Sequence, residues 1–231
     1  MTSAYTTIDA LEAAPAEVYP PQEDSSLLID AMVTAGVIPG ARVADLCTGS
    51  GVVAISAASA GAASVTAFDI CPKAVSRTRQ EALAAGVEID VHRGSWARAI
   101  EFAPFDVVLA NPPYVPEAPV DDSGLISPAA GPSRAWDAGP DGRMVLDPLC
   151  AAAPLLLEEG GTMLIVHSEC SGVTRTLSAL RAQGMRAEVA AQQLIPFGPV
   201  MTARAPWLKR AGLLGRHATQ ERIVVVRADA P

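Results

Sequence analysis

Aromatic side chains are scarce, at 4 % of 231 residues, although half of the chain is apolar. Ala, Val, Leu and Ile must therefore fill any core. Basic clusters are missing as well: no run of Lys or Arg is longer than a pair, and the formal charge is −8. A surface that grips a phosphate backbone carries a basic stripe, so this balance weighs against a long nucleic-acid partner. There is no run of about 18 uncharged apolar residues, which argues against a membrane span. The stretch from Met1 to Glu17 lacks a basic start followed by an apolar run, so no secretory signal is expected. Cys47, Cys71, Cys150 and Cys170 are widely spaced, with no CxxC pair and no ligand-like histidine beside them. That spacing argues against a metal site and against disulfides, and fits a reducing cytoplasm.

What is present is an alternation of apolar strands and helices. Residues 1–17 read as a loose, flexible arm, and residues 18–231 as a single domain. Leu27, Leu28, Ala31 and Met32 mark a helix over Ser25–Ala35, capped by Asp24 or Ser25 and stopped at Ile38-Pro39-Gly40. A strand at Arg42–Leu46, a small-residue helix at Gly51–Ala60 and a strand at Ser64–Phe68 follow. Pro72 opens the next helix, which runs to about Ala85 before Gly86. Val87, Ile89 and Val91 alternate with Glu88, Asp90 and His92, the period of a half-exposed edge strand. Phe105–Ala110 is nearly all apolar, as a central parallel strand buried on both faces must be. A long Pro-, Gly-, Asp- and Ser-rich loop spans Val115–Asp141, and such a loop is functional or disordered. A helix over about Gly142–Leu157, a strand at Thr162–His167 and a capped helix at Ser171–Ala182 come next. The last two strands, near Ala187–Leu194 and Arg222–Arg227, lie in adjacent segments without a crossover helix, which predicts an antiparallel hairpin at one edge. The whole is an α/β, Rossmann-like pattern: a seven-stranded, mostly parallel, doubly wound sheet with helices on both faces.

Two features in this pattern carry chemistry at its first crossover. Asp45-Leu46-Cys47-Thr48-Gly49-Ser50-Gly51 joins the first strand to its helix. Glycines there let the backbone approach a ligand, and the helix N-terminus offers free N–H groups. Alone, a GxG after a strand is weak evidence, because tight strand–helix turns also favour glycine. The spacing departs from the dinucleotide G-x-G-x-x-G, with Ala54 in the third glycine's place. Asp45 tilts the reading: its carboxylate would repel a pyrophosphate but suits the cationic amino group of a methionine moiety. Asp69, at the end of the second strand, is placed to take both hydroxyls of a ribose. The competing reading is a strand-end residue that caps the helix at Pro72; the order strand, loop, helix, strand, acid favours the ribose.

Asn111-Pro112-Pro113-Tyr114 follows the most apolar strand and so lies at a carboxyl end of the sheet, where α/β folds bind ligands. A single proline would suffice to stop the strand. Two prolines behind Asn111 stiffen the turn and aim the amide oxygen of Asn111, and the carbonyl of Asn111 or Pro112, at one point. Those acceptors match the two N–H bonds of a planar –NH2 group. Tyr114 offers a ring face to the same group or to a sulfonium cation.

The segments DLCTGSG and LANPPYVPE, Asp69 and the intervening GSW resemble the HemK-type glutamine methyltransferases of the class I fold that uses S-adenosylmethionine (SAM). Val18-Tyr19-Pro20-Pro21-Gln22-Glu23-Asp24-Ser25, the segment from Ala135 to Arg143 and Leu194-Ile195-Pro196-Phe197-Gly198-Pro199 are similar to the short eukaryotic and archaeal branch, which lacks the N-terminal helical domain of the bacterial enzymes. The resemblance covers about Val18 to Arg227. It implies methylation of the side-chain amide of the Gln in the Gly-Gly-Gln loop of peptide release factors, with SAM as cofactor and a small zinc-binding activator protein as a candidate partner. It also implies that Asp45, Cys47, Gly49, Gly51, Asp69, Ser95, Trp96 and Asn111 surround the cofactor and that Ser25 contacts its methionine end. Asn111, Pro112 and Tyr114 would hold the acceptor. Cys47 stands where the family has the first glycine of the loop, which requires an ordinary backbone angle there. Ser95 stands where an Asp would bind the adenine amino group, and a Ser oxygen accepts that bond less strongly.

His92, His167 and His217 are scattered and read as structural or surface residues. Glu158-Glu159 reads as a solvated helix end, and Trp207 as packing within a loop. Arg143 is either a helix-surface cation or an anchor for the substrate loop. Two rivals to a protein-glutamine methyltransferase remain at this level: a nucleic-acid amino methyltransferase, since Asn-Pro-Pro-Tyr also occurs in enzymes acting on adenine or guanine, and a non-catalytic SAM-binding regulator.

Overall fold

A computed structural model describes residues 17–122 and 124–231. The arm expected over residues 1–17 lies, up to Ala16, outside the described residues. The elements are α1 (Glu23–Ala35), β1 (Arg42–Leu46), α2 (Val52–Ser59), β2 (Ser64–Asp69), α3 (Pro72–Ala85), β3 (Asp90–Arg93), β4 (Phe105–Ala110), α4 (Leu146–Leu156), β5 (Leu157–Ser168), α5 (Val173–Ala182), β6 (Arg186–Pro196), α6 (Pro199–Arg210) and β7 (Gln220–Asp229). The sheet has seven strands in the order β3-β2-β1-β4-β5-β7-β6. The first five strands in that order pair in parallel, while β7 runs antiparallel to both β5 and β6.

Alternate residues of each strand feed two cores, one on each face of the sheet. Val43, Val107, Leu109, Val166 and Val225 pack against Leu28 and Met32 of α1 and Val53 of α2. Ala44, Val108, Met163, Ile165 and Val226 pack against Leu146, Leu149 and Leu156 of α4 and Leu180 of α5. The central strands are thus apolar on both sides, and few aromatics are needed to fill the gap. A third cluster, formed by Val200, Met201, Ala205 and Leu208 of α6 with Val115 and Trp136 of the long loop, sits over one end of the sheet. Among the described residues, no helix is long and apolar enough to cross a membrane.

Several local expectations need correction. The helix α1 begins at Glu23 with Gln22 as its cap, and no side chain caps it. Asp24 and Ser25 lie inside the helix and are buried, with their side chains committed to tertiary contacts. The edge strand β3 is confined to Asp90–Arg93. The helix expected from Gly142 starts four residues later at Leu146, and Glu158 and Glu159 belong to β5 instead of a helix end. No side chain caps α5: Ser168 accepts from the Cys170 N–H of a 3-10 turn, and Gly172 then starts the helix. The final strands form the expected antiparallel pair at an edge, yet a helix, α6, does connect them. Two prolines disguised it. Pro199 occupies the first turn, where a missing N–H costs nothing, and Pro206 faces solvent inside the helix. Trp207 is therefore a helix residue packed on the third cluster.

The described residues of the long loop fold back on the motif it follows. The Val115 N–H donates to the Trp136 carbonyl at 2.8 Å, and the Ala138 N–H to the Val115 carbonyl at 2.9 Å. An ion pair at 2.9 Å joins Arg204 of α6 to Asp137. Arg143 resolves as an anchor: it is 2 % exposed, pairs with Asp147 at 2.6 Å, and donates to the Ser171 carbonyl at 2.6 Å and the Thr176 hydroxyl at 3.1 Å. Gly142 beside it has φ 73°, and a Cβ there would run into the Tyr114 carbonyl oxygen. Gly142→Ala should therefore combine left-handed strain of about 1–2 kcal/mol with overpacking of similar size. The expected result is a loss of about 3 kcal/mol in urea unfolding monitored by circular dichroism.

Candidate active site

The carboxyl ends of the parallel strands open into a cavity of about 430 Å³, within the range of small-molecule sites. It lies where the chain order reverses, between β1 and β4, the usual ligand position of an open α/β sheet. All the residues singled out from the sequence except Gly51 line it: Ser25, Asp45, Cys47, Gly49, Asp69, Ser95, Trp96, Asn111, Pro112 and Tyr114. Gly51 stands just behind, at φ 85°, as the cap of α2, and a Cβ on it would meet Thr78 of α3 at 2.7 Å.

Asp45 ends β1 and is only 1 % exposed. The Thr48 hydroxyl donates to its Oδ2 at 2.6 Å. Burial nevertheless raises its carboxyl to about 7, and no cation is among its partners. Cys47 departs from expectation. Its φ is 61°, the left-handed region, and it is the one non-glycine among the described residues with a positive φ. The loop keeps the glycine geometry even with a side chain present, at a cost of about 1–2 kcal/mol. Burial and the carboxylates of Asp69 and Asp45 push its thiol up, so it is not a thiolate nucleophile.

Asp69 does two jobs at once. Its Oδ2 accepts the Gly49 N–H at 2.9 Å and its Oδ1 accepts the Cys71 N–H at 2.8 Å, so the carboxylate ties the glycine loop to the start of α3. Each oxygen keeps a second lone pair, and the residue faces the cavity, so two hydroxyls can still be taken. Ser95 follows the neighbouring strand β3 and is exposed at the rim; its hydroxyl makes no cap bond to the 3-10 turn that begins at Trp96.

The Asn111 amide donates one N–H through Nδ2 to the Ser25 hydroxyl at 3.3 Å, which orients the amide and leaves Oδ1 as an acceptor. Tyr114 is held from both ends. Its hydroxyl donates to Asp24 at 3.1 Å, and its carbonyl accepts the Ser171 hydroxyl at 2.6 Å. Burial, with the charges of Asp24 and Glu221, raises the phenol well above its ordinary value, so it stays neutral. Tyr19 also donates to Asp24, at 3.4 Å. Sequence reasoning missed Asp24, Tyr19, Ser171 and Glu221 as members of this neighbourhood. Only the Tyr19-to-Ser25 segment carried a signal, and it pointed to Ser25.

The lining is strongly acidic. Glu17, Glu23, Asp24, Asp45, Asp69 and Glu221 contribute carboxyl groups against one cation, Arg134, which donates to the Cys71 sulfur at 3.0 Å. None of the three histidines lines the cavity; burial lowers His167 to about 4 and keeps it neutral.

A methyltransferase small-domain model matches residues 22–124. The chain is 32 % identical over 189 residues to a putative protein N5-glutamine methyltransferase of Methanocaldococcus jannaschii, covering 82 % of this chain and 91 % of that one. The chain belongs to the protein N5-glutamine methyltransferase family. A release factor glutamine methyltransferase of Deinococcus radiodurans is 35 % identical over 151 residues, which are 64 % of this chain and 52 % of that one. The chain thus spans about half the length of that bacterial relative. In fold it is similar to a chain of the E. cuniculi Mtq2–Trm112 complex, described as responsible for methylating the eRF1 translation termination factor, at TM-score 0.60, 20 % identity and coverage of 92 % and 98 %. A ribosomal protein L11 methylase from Lactobacillus delbrueckii gives TM-score 0.59 at 18 % identity, covering 92 % of this chain and 81 % of that one.

The cofactor of the family is SAM, and the residues at the cavity fit it. An acidic lining suits a ligand that carries an ammonium and a sulfonium and disfavours a dinucleotide. Asp45 is a buried carboxyl beside the glycine loop with no cation among its partners, and a bound ammonium would favour its ionised form. Affinity for SAM should therefore be full above about pH 7 and fall on acidification through that value, by roughly tenfold for each unit below it. Calorimetry between pH 8 and pH 6 checks this. Asp45→Asn should bind weakly at both ends and show no such slope.

Proposed function

We propose that the protein transfers the methyl group of SAM to the side-chain amide nitrogen of a protein glutamine, that of the Gly-Gly-Gln loop of a peptide release factor. The observation that carries this reading is the fixed Asn111 amide. One N–H of its nitrogen is bonded to Ser25, and its oxygen is left as an acceptor beside the rigid Pro112-Pro113 turn. SAM supplies an electrophilic methyl group, so the protein's task is alignment. Asn111 Oδ1 and the neighbouring backbone carbonyl would accept the two N–H bonds of the glutamine amide. Drawing on those protons pushes density onto the nitrogen, and the two bonds fix its plane. Tyr114, tethered by Asp24, would cover one face of that plane. Asp45 and Ser25 would hold the methionine end of the cofactor, Asp69 its ribose, and Ser95 and Trp96 the adenine rim. The proton leaves after transfer, so none of these groups has to act as a strong base.

The activities of the archaeal and bacterial relatives support the glutamine, and the methylation of eRF1 by the Mtq2–Trm112 complex supports a release factor and an activator protein. At the β3 edge, Asp90 pairs with His92 at 2.7 Å, and polar side chains there discourage strand addition. The chain is accordingly proposed to bind SAM without a partner. A nucleic-acid base amine would offer the same planar donors, but the acidic lining repels a phosphate backbone.

Tritiated methyl transfer to a host release factor, compared with the same factor carrying Glu for the target Gln, is the test. The Gln factor should be labelled and the Glu factor not. Equal labelling would exclude the glutamine amide. Asn111→Ala should lower kcat about 100-fold, the usual effect of deleting one transition-state hydrogen bond, while SAM affinity changes little.

A further inference from the structure

Among the described residues, buried side-chain polar atoms without a partner occur on Trp136, Arg143, His167, Arg204 and Glu221. Arg143 and Arg204 are paired through their other nitrogens, and His167 lies within β5. Only Trp136 and Glu221 belong to the cavity wall. One orphan is a donor, the indole Nε1 of Trp136; the other is an acceptor, Oε1 of Glu221. Burying either without a bond is costly, and native proteins rarely leave such a pair unless something completes it.

Their position says what that something is. Glu221 sits at the start of β7, which runs antiparallel to β5, so it lies at the same end of the sheet as Asn111. In strand order it is two strands beyond β4, or about 10 Å to the side. Asp69, on β2, is two strands away in the opposite direction. The ribose residue and Glu221 thus flank Asn111 on opposite sides, and the β7 flank is the one left for the acceptor. Trp136 and Cys170 belong to one apolar cluster, and burial together with the Glu221 charge pushes the Cys170 thiol up, so both orphans border the same patch. Glu221 is 4 % exposed, and the Ser168 hydroxyl bonds its carboxyl on the other oxygen.

We propose that Glu221 and Trp136 form a peptide-reading subsite, with Glu221 accepting a backbone N–H and Trp136 donating to a backbone C=O of the segment that carries the target glutamine. This rests on the protein-glutamine reading above. A peptide group offers one donor and one acceptor of this kind.

The groups facing Glu221 set its pH behaviour. Glu23 and Asp24 come from α1, Tyr19 from the segment before it, Tyr114 from the turn after β4, and Glu169 and Cys170 from the turn after β5, with Arg222 of β7 paired to Glu169 at 3.9 Å. Burial, with the nearby carboxylates, raises Glu221 to about 7. An N–H partner favours the ionised form, so substrate binding should weaken as the pH falls through 7.

The experiment is steady-state kinetics at saturating SAM with the release factor as variable substrate, from pH 6 to pH 8. Wild-type KM should rise on acidification. Glu221→Gln should raise KM at pH 8 about tenfold, as expected for a lost charge-assisted bond, flatten its pH profile, and leave kcat and SAM affinity within about twofold. Trp136→Phe, which keeps an aromatic ring, should raise KM in the same way without touching SAM binding. Wild-type KM values in both variants, with the Gln factor still labelled, would overturn the subsite alone. A loss of SAM affinity in place of the KM effect would also overturn it. Equal wild-type labelling of the Gln and Glu factors would overturn the glutamine reading, and the subsite with it.

Discussion

The carbonyl of Tyr114 is the fixed point of the site. It accepts the Ser171 hydroxyl at 2.6 Å, and it leaves space for nothing larger than the hydrogen of Gly142. Arg143, next in the chain, reaches through the interior to the Ser171 carbonyl, so its guanidinium holds the turn whose hydroxyl holds the Tyr114 carbonyl. The Asn-Pro-Pro-Tyr wall is therefore not a free loop end. It is stiffened from within by proline and clamped from behind by the start of α5. The price is a buried charge, offset by Asp147 and by carbonyl and hydroxyl acceptors.

A second constraint is electrostatic. The glycine loop, Asp69 and the Asn-Pro-Pro-Tyr turn are joined by bonds that reach across the sequence: Asp69 to Gly49, Asn111 to Ser25, Tyr114 to Asp24. Each uses a short polar side chain on one element to hold the backbone or hydroxyl of another. The arrangement concentrates carboxylates where a cation is to sit, and it leaves their charge uncompensated until the ligand arrives.

The architecture was legible in the sequence because the central strands are largely apolar and glycines fall at the turns. The doubly wound parallel core and the position of the cavity follow from that alternation, whereas the antiparallel edge pair was expected for want of a connecting helix and forms with one, α6, between its strands. Three things were not legible. The helix α6 is hidden by Pro199 and Pro206, which local propensity reads as loop, although one sits in the first turn and the other faces solvent. Cys47 adopts a left-handed backbone because the ends of its loop are fixed by Asp69 and Thr48, and tertiary bonds outweigh a local preference of about 1–2 kcal/mol. Asp24 looks like a helix cap in sequence; only the fold shows that it holds two tyrosines from segments far apart. The motif residues themselves were readable, whereas the groups that support them depend on contacts no spacing rule encodes.

The acidic lining also bears on what happens after the reaction. Asp45 and its neighbouring carboxylates attract the reactant cofactor through an ammonium and a sulfonium, but methyl loss turns that sulfonium into a neutral thioether. The cavity therefore favours reactant over spent cofactor by the Coulomb energy of one charge in a partly desolvated setting. A site lined with neutral hydrogen-bonding groups would grip both forms alike and be slowed by its own by-product. Here the chemical step weakens the enclosure's hold on what remains, and turnover is built into the charge of the walls.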